Sequence, residues 1–263
     1  MELRLAIVGG GRMGEALLGG LLQAGWAEPG ELAVVELVEA RRRALAAAHP
    51  GVAVSADVPA AEGAVLAVKP GDVATAAAAA AQAGARRLLS IAAGVSTASV
   101  AEAAGAGVEV VRAMPNTPAL VGEGASAIAP GPDTGEEAMA WAEGILGAVG
   151  QVVRVPESAL DAVTGLSGSG PAYVFLLAEA LIEAGVTVGL ARDVASRLTV
   201  QLLVGSARML ADTGDPPEAL RAGVTSPGGT TAAGLRALEA AGFRSAVIEA
   251  VVAATERSRQ LGS

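Results

Sequence analysis

Residues 3–14 of this 263-residue chain read Leu-Arg-Leu-Ala-Ile-Val-Gly-Gly-Gly-Arg-Met-Gly. A short apolar run ends in glycines, and apolar residues at helical spacing follow at Ala16, Leu17 and Leu21. Gly9, Gly11 and Gly14 fit the spacing G-x-G-x-x-G. In a strand–turn–helix unit the first glycine permits the tight turn. The second lets the backbone approach a pyrophosphate, and the third lets the helix pack on the strand. The helix expected over 13–24 then begins at Met13, just after Arg12, and its N-terminal N–H groups and dipole attract anions. A glycine-rich turn can also bind nothing. The strand before it and the helix after it favour a dinucleotide.

The pattern that begins here repeats. Strand-like runs at Leu32–Glu36, Ala64–Val68, Leu88–Ala92, Val108–Arg112, Ala125–Ala129 and Gln151–Val155 are interleaved with helical stretches at 40–48 and 73–83. Such alternation implies βαβ units and a mostly parallel sheet. After Pro156 the strand signals stop. Helical stretches cover 171–184, 192–211, 217–222, 230–241 and 244–261, separated by Gly185, Gly189, Gly214-Asp215-Pro216 and Gly242. The expected organisation is an α/β Rossmann-like dinucleotide-binding domain over 1–155. An all-α substrate-binding and dimerisation domain over 156–263 follows it. Leu198, Leu202, Leu203, Leu210, Val247, Ile248, Val251 and Val252 give the second domain broad apolar faces, suited to its own core or to a second copy.

Composition removes several classes of chemistry. The chain has no Cys, one His (His49), one Lys (Lys69) and one Tyr (Tyr173). That leaves no disulfide framework, no thiolate nucleophile and no His-rich metal site. The net charge of −9 argues against a nucleic-acid partner. The longest uncharged run, Ala162–Ala178, has 17 residues and contains Gly165, Gly168, Gly170 and Pro171. A spanning helix needs about 20 apolar residues, so no membrane span is expected. The start, Met1-Glu2-Leu3-Arg4-Leu5, lacks the basic and apolar segments of a signal peptide. A cytoplasmic protein is expected.

Further candidates lie where strands end. Glu36 follows the second strand, 22 residues past Gly14. A carboxylate at that distance accepts the adenosine ribose hydroxyls and disfavours a 2′-phosphate, so it favours NAD over NADP. Arg41-Arg42-Arg43 lie one turn further, where they could reach a phosphate, but the favoured reading is a solvated helix face. Lys69 closes the run Ala67-Val68-Lys69-Pro70 at a strand's carboxyl end, where such sheets bind ligands. Asn116, within Arg112–Ala119, is a candidate partner for a nicotinamide amide or the substrate. Val224–Thr231 holds hydroxyls, Pro227, Gly228 and Gly229 before a helix. Its N–H groups, with Ser226, Thr230 and Thr231, suit an anion such as a carboxylate.

The sequence resembles pyrroline-5-carboxylate reductases. The matching segments are GGGRMGEAL (9–17), AVKP (67–70), RAMPNTPA (112–119), SGSGPAY (167–173), EAGVTVGL (183–190) and TSPGGTT (225–231). They stand in the family's order and cover nearly the whole chain. SGSGPAY and SPGGTT together are the most specific. The resemblance implies reduction of 1-pyrroline-5-carboxylate to L-proline by hydride from NADPH or NADH, the last step of proline biosynthesis. It implies a homodimer, with larger rings of dimers common in the family. It places Ala67, Lys69, Pro70 and Asn116 beside the nicotinamide, in addition to Gly9, Gly11, Arg12, Met13, Gly14 and Glu36, which the residues themselves offer to the cofactor. Ser226, Gly228, Gly229, Thr230 and Thr231 go to the substrate carboxylate, and the Thr231 hydroxyl faces the ring nitrogen as catalytic residue. Where many members carry a polar-Arg-Ser run after the second strand, this chain has Glu36-Leu37-Val38, which departs from an NADP pattern.

The residue inventory suits that chemistry. A protonated cyclic imine accepts hydride without a metal or strong general acid, so orientation and an anchor suffice. A 3-hydroxyacid dehydrogenase would place a Lys on a helix of the second domain, and this second domain has none. A sensing protein without catalysis gives SPGGTT and PNTP no purpose. His49 fits no motif.

Overall fold

Strand β1 (Leu3–Val8) is buried over its last four residues, and its side chains divide between two cores. The structure, a computed structural model, describes residues 3–262. Met1 and Glu2, part of the segment read as lacking a signal peptide, lie outside the described residues. The elements that follow are α1 (Arg12–Gln23), β2 (Leu32–Val35), α2 (Glu39–Ala48), β3 (Ala53–Ser55), β4 (Ala61–Leu66), α3 (Val73–Gln82) and β5 (Arg87–Ser90). Then come α4 (Thr97–Ala104), β6 (Glu109–Met114), β7 (Gly124–Pro130), α5 (Glu136–Gly147) and β8 (Gly150–Arg154). Among the described residues they build one eight-stranded sheet of order β3-β2-β1-β4-β5-β6-β7-β8. Every pairing is parallel except β6 with β7. The α/β Rossmann-like reading of the first part is the observed fold.

Strand periodicity explains the layering. Leu5, Ile7, Val34, Val65 and Leu89 face one side and pack with Leu17, Leu18 and Leu21 of α1, Leu45 of α2 and Ile145 of α5. Ala6, Val8, Ala33, Leu66 and Leu88 face the other, against Val73, Ala76, Ala77 and Ala80 of α3 and Val100 of α4. The alanines of α3 present no bulk, so the helix lies close on the sheet. Strand order reverses between β1 and β4, and a crevice opens there at the carboxyl ends of the strands. β3, α4 and α5 were not read from sequence. β3 is three partly exposed residues, and α4 is eight residues long.

The rest of the described chain is helical: α6 (Leu160–Val163), a π turn (Thr164–Gly168), α7 (Gly170–Thr187), α8 (Arg192–Thr213), α9 (Pro217–Gly223), α10 (Thr230–Ala240) and α11 (Phe243–Leu261). The sheet ends at Arg154, whereas the compact units part after Ser169, and residues 252–262 group with the first unit. Within the first unit α6 packs Leu160 on Ala127 and Ala129 of β7, and the Ser258 hydroxyl donates to Asp161 at 2.6 Å.

The second unit, 170–251, contains the antiparallel pair α7 and α8. Gly185 lets them approach, since a β-carbon there would stand 3.0 Å from the Ala195 Cβ. The Tyr173 hydroxyl donates to the Ala250 carbonyl at 3.4 Å. No residue of α7 or α10 is buried. Phe175 is 62% exposed, Leu202 55% and Ile248 61%.

One ground for excluding a membrane span needs correction. Helical backbone runs unbroken from Glu157 to Thr187, 31 residues, which is long and apolar enough to cross a bilayer by length and composition. Gly165 and Gly168 lie within the π turn, and Gly170 opens α7. Pro171 offers no N–H to the Ser167 carbonyl four residues earlier, which accepts from Asn116 Nδ2 at 3.0 Å instead.

A dinucleotide cradle and an anion-binding turn

Val8, Val35 and Leu66 are in register across β1, β2 and β4. The residues that follow them, Gly9, Glu36 and Ala67, therefore emerge side by side at the same rim. Gly9 has φ +114°, donates its N–H to the Val35 carbonyl at 2.9 Å, and leaves no room for a side chain against the Ala67 carbonyl. The Ala67 N–H donates to the Val8 carbonyl at 2.8 Å, which ties the two turns together. A β-carbon on Gly14 would collide with the Gly9 carbonyl oxygen and stand 3.2 Å from Ile7 Cγ2. At Gly11, the N-cap of α1, a β-carbon would meet nothing within 4 Å.

The three glycines thus differ. Gly9 and Gly14 are held by protein, while Gly11 borders open space. The first-turn N–H groups of Arg12, Met13 and Gly14 have no intrahelical acceptor. Such a terminus suits a pyrophosphate, and the residues present fit a dinucleotide.

Glu36 stands at one end of the cradle. Its Oε1 accepts the Val38 N–H at 2.9 Å. Its Oε2 lies 3.2 Å from where a Gly10 β-carbon would be. Arg41 reaches back: Nε donates to the Gly10 carbonyl at 2.8 Å and a terminal nitrogen to Glu15 at 2.6 Å. Arg42 donates to the carbonyls of Glu36 and Leu37 at 2.8 and 2.7 Å, and Arg43 pairs with Glu39. Arg41 and Arg42 therefore brace the loops around the cradle, while Arg43 lies on the solvated face of α2. His49, assigned no role from sequence, brings Nε2 to 3.6 Å from Glu15. The Arg41 hydrogen bond holds the Glu15 carboxyl below its ordinary range, with His49 adding to the effect.

On the β4 side, Lys69 and Pro70 are exposed on the turn that opens a 3₁₀ segment over Pro70–Asp72. Asn116, at the end of β6, is otherwise engaged than expected. Its Nδ2 donates to the Ser167 carbonyl at 3.0 Å and its Oδ1 accepts the Ala125 N–H at 2.9 Å. The side chain is buried and braces the loop between β6 and β7, so it is not turned toward a ligand.

Sequence reasoning also missed Glu157. It accepts the Thr97 N–H and hydroxyl, each at 2.7 Å, and pairs with Arg112 at 3.1 Å. Burial raises its carboxyl, but the Thr97 donors and Arg112 outweigh that and hold it below the usual carboxylate range. The partners lie 45 and 60 residues away, beyond any local pattern.

In the helical unit, the Gly229 N–H donates to the Ser226 carbonyl at 3.1 Å and Gly228 has φ +72°. With Pro227 before it this is a type II turn, which demands glycine at that position. Gly229 caps α10 in extended conformation, and the first-turn N–H groups point out of the helix beside the exposed Ser226 and Thr230 and the half-buried Thr231. Thr225 Oγ1 donates to the Arg221 carbonyl at 2.6 Å and fixes the turn to α9. Such a terminus suits a carboxylate.

Residues 157–261 match the family described as "Pyrroline-5-carboxylate reductase dimerisation", and residues 4–94 match "NADP oxidoreductase coenzyme F420-dependent". The chain is 46% identical to the pyrroline-5-carboxylate reductase of Mycobacterium tuberculosis, covering 98% of this chain and 96% of that one. Among solved structures, a pyrroline-5-carboxylate reductase from Coxiella burnetii superposes with TM-score 0.93 at 33% identity over the full length of both chains. The Plasmodium falciparum pyrroline carboxylate reductase with NADP bound gives 0.85 at 30% identity, covering 99% and 98%.

Proposed function

The chain belongs to the pyrroline-5-carboxylate reductase family, and from that premise we propose that it reduces 1-pyrroline-5-carboxylate to L-proline with NADPH or NADH, closing proline biosynthesis. The observation that carries this is the glycine cradle at the β1–β4 crevice. It is closed to side chains at Gly9 and Gly14 and open at Gly11.

The reduced nicotinamide, when bound, supplies the hydride. The protein's part is to bind and orient. The N–H groups of Arg12, Met13 and Gly14 hold the pyrophosphate, and Gly9 keeps the turn tight. Ala67, Lys69 and Pro70 border the nicotinamide, while Asn116 holds the neighbouring loop in shape. The turn Ser226–Thr231 binds the substrate carboxylate through its N–H groups, and the Thr231 hydroxyl hydrogen-bonds the ring nitrogen. Hydride on carbon and a proton on nitrogen turn the C=N bond into CH–NH. A protonated imine needs no strong general acid for this, in keeping with a sequence whose one His sits against Glu15.

We further infer a cytoplasmic homodimer, itself a unit for a larger ring. The exposed apolar residues of α7, α8 and α11 support this reading, as does the dimerisation family matched by residues 157–261. The apolar run 157–187 then packs on a second copy and not on lipid. The reductase reading is tested by following oxidation of NADH and NADPH, separately, with pyrroline-5-carboxylate. Turnover with at least one supports it, and none with either at micromolar enzyme rejects it.

A further inference from the structure

We propose a second ligand site at the amino ends of β4 and β5, at the opposite end of the strands from the cradle, which takes a free α-amino acid with an apolar side chain. Arg86 binds the carboxylate, Glu62 the ammonium group, and Trp141 the side chain. The site lies within the first compact unit and is independent of the reductase reading.

The sheet sets the two charged groups beside each other. Gly63 and Arg87 are in register, so Glu62 and Arg86 are neighbours one residue earlier. The Arg86 N–H donates to the Glu62 carbonyl at 2.9 Å, and the Glu109 N–H to the Arg86 carbonyl at 2.9 Å, which carries the ladder to this pair. Alternation puts both side chains on the sheet face of Ala64 and Leu88. Their α-carbons are then about 4.8 Å apart. The two side chains are exposed and do not pair with each other. Among the described residues neither has a hydrogen-bond or ion-pair partner. Arg87 differs, since its guanidinium is 3.3 Å from Glu137 and 3.9 Å from Glu109.

A cavity of about 430 Å³ opens here, with Glu62, Arg86, Arg87, Trp141, Ala83 and Gly84 in its wall. Small-molecule sites run from roughly 300 to 1,000 Å³. Gly63 admits the indole, because a β-carbon there would stand 2.6 Å from Trp141 Cζ2 and 3.2 Å from Cε2. A glycine inside a buried strand marks such a close approach. The indole stays half-buried and offers the cavity an aromatic surface. Three carboxylates, Glu62, Glu109 and Glu137, stand against Arg86 and Arg87 at this rim. A bare anion such as phosphate therefore meets a surplus of negative charge, and a bare cation leaves Arg86 unanswered. A zwitterion answers both, because its carboxylate and ammonium share one carbon. Its apolar side chain then covers the indole and the small wall of Ala83 and Gly84.

The test is calorimetric titration of the wild-type protein with L-leucine and L-phenylalanine, with and without saturating NADH. The expected result is a millimolar or tighter dissociation constant for both amino acids, unchanged by NADH. Isocaproate, which lacks the ammonium group, and isoamylamine, which lacks the carboxylate, should bind at least tenfold more weakly than L-leucine. Arg86→Gln and Glu62→Gln should each weaken L-leucine at least tenfold while keeping the wild-type affinity for NADH. In Trp26→Phe protein Trp141 is the one remaining indole, and its emission should change saturably with L-leucine. No binding of either amino acid overturns the proposal, as does isocaproate binding as tightly as L-leucine. Displacement of L-leucine by NADH, or binding that leaves Trp141 emission unchanged, places the ligand elsewhere and overturns it too. Affinity unmoved in both charge variants does the same. The analogue comparison needs no variant and decides alone if a substitution unfolds the chain. Binding of L-leucine without turnover of pyrroline-5-carboxylate would reject the reductase reading and leave this inference standing.

Discussion

Gly9 and Ala67 are in such close contact that a β-carbon on Gly9 would stand 2.7 Å from the Ala67 carbonyl carbon. The turns after β1 and β4, nearly 60 residues apart in sequence, are thereby fused into one rim. The adjacent glycines obey different constraints, and substitution separates them. Gly9→Ala faces both that clash and an unfavourable φ, and Gly14→Ala faces the Gly9 carbonyl. Each should lower folding stability by about 1–3 kcal/mol. Gly11→Ala meets open space and should leave the melting temperature unchanged while weakening dinucleotide binding. Thermal unfolding and titration with NADH check the pair of effects. A Gly11→Ala protein that binds normally would move the pyrophosphate elsewhere.

Glu157 bridges α4, β6 and the segment after the sheet, so its loss should be felt in stability. Glu157→Gln is expected to cost about 1–2 kcal/mol near neutral pH, because the hydrogen bonds to a charged acceptor weaken. The folded carboxyl titrates below its ordinary value of about 4.3. Its contribution is therefore complete above that pH and is lost as pH falls through the lower folded value. Urea unfolding of wild type and variant should show the gap at about pH 7 and a much smaller gap at about pH 3. A gap that grows on acidification would contradict the assignment.

In the substrate turn, Thr231→Ala should lower kcat by about tenfold or more, whereas Ser226→Ala should act mainly on KM. Steady-state kinetics with pyrroline-5-carboxylate separates the two. Negligible effects from both would show that the anchoring role is misplaced.

The exposed faces of α8 and α11 predict their own perturbation. Leu202→Glu and Ile248→Glu put a charge where a second copy is expected to pack, and light scattering should show a smaller species than wild type. Unchanged mass for both would mean that these faces are free in solution.

Much of this was legible in the chain. The run 3–14 dictated strand, turn and helix, because the positions that need glycine have it. Stretches with strand or helix periodicity came out within a few residues of their observed bounds. Harder to see was whatever depends on side chains meeting across the fold. Asn116 reads as a ligand contact until both ends of its amide are found on backbone groups. Arg41 reads as surface until its guanidinium is found on Gly10 and Glu15. Glu157 gives no signal at all, since its partners Thr97 and Arg112 come from other elements. Periodicity records which way a residue faces, not which polar atom it will satisfy.

The most direct test of the account is the initial rate of NADH and NADPH oxidation by the purified protein with pyrroline-5-carboxylate, the two cofactors in separate reactions. The account predicts proline as product and a higher kcat/KM with NADH. No oxidation of either cofactor, or oxidation without proline, would contradict it.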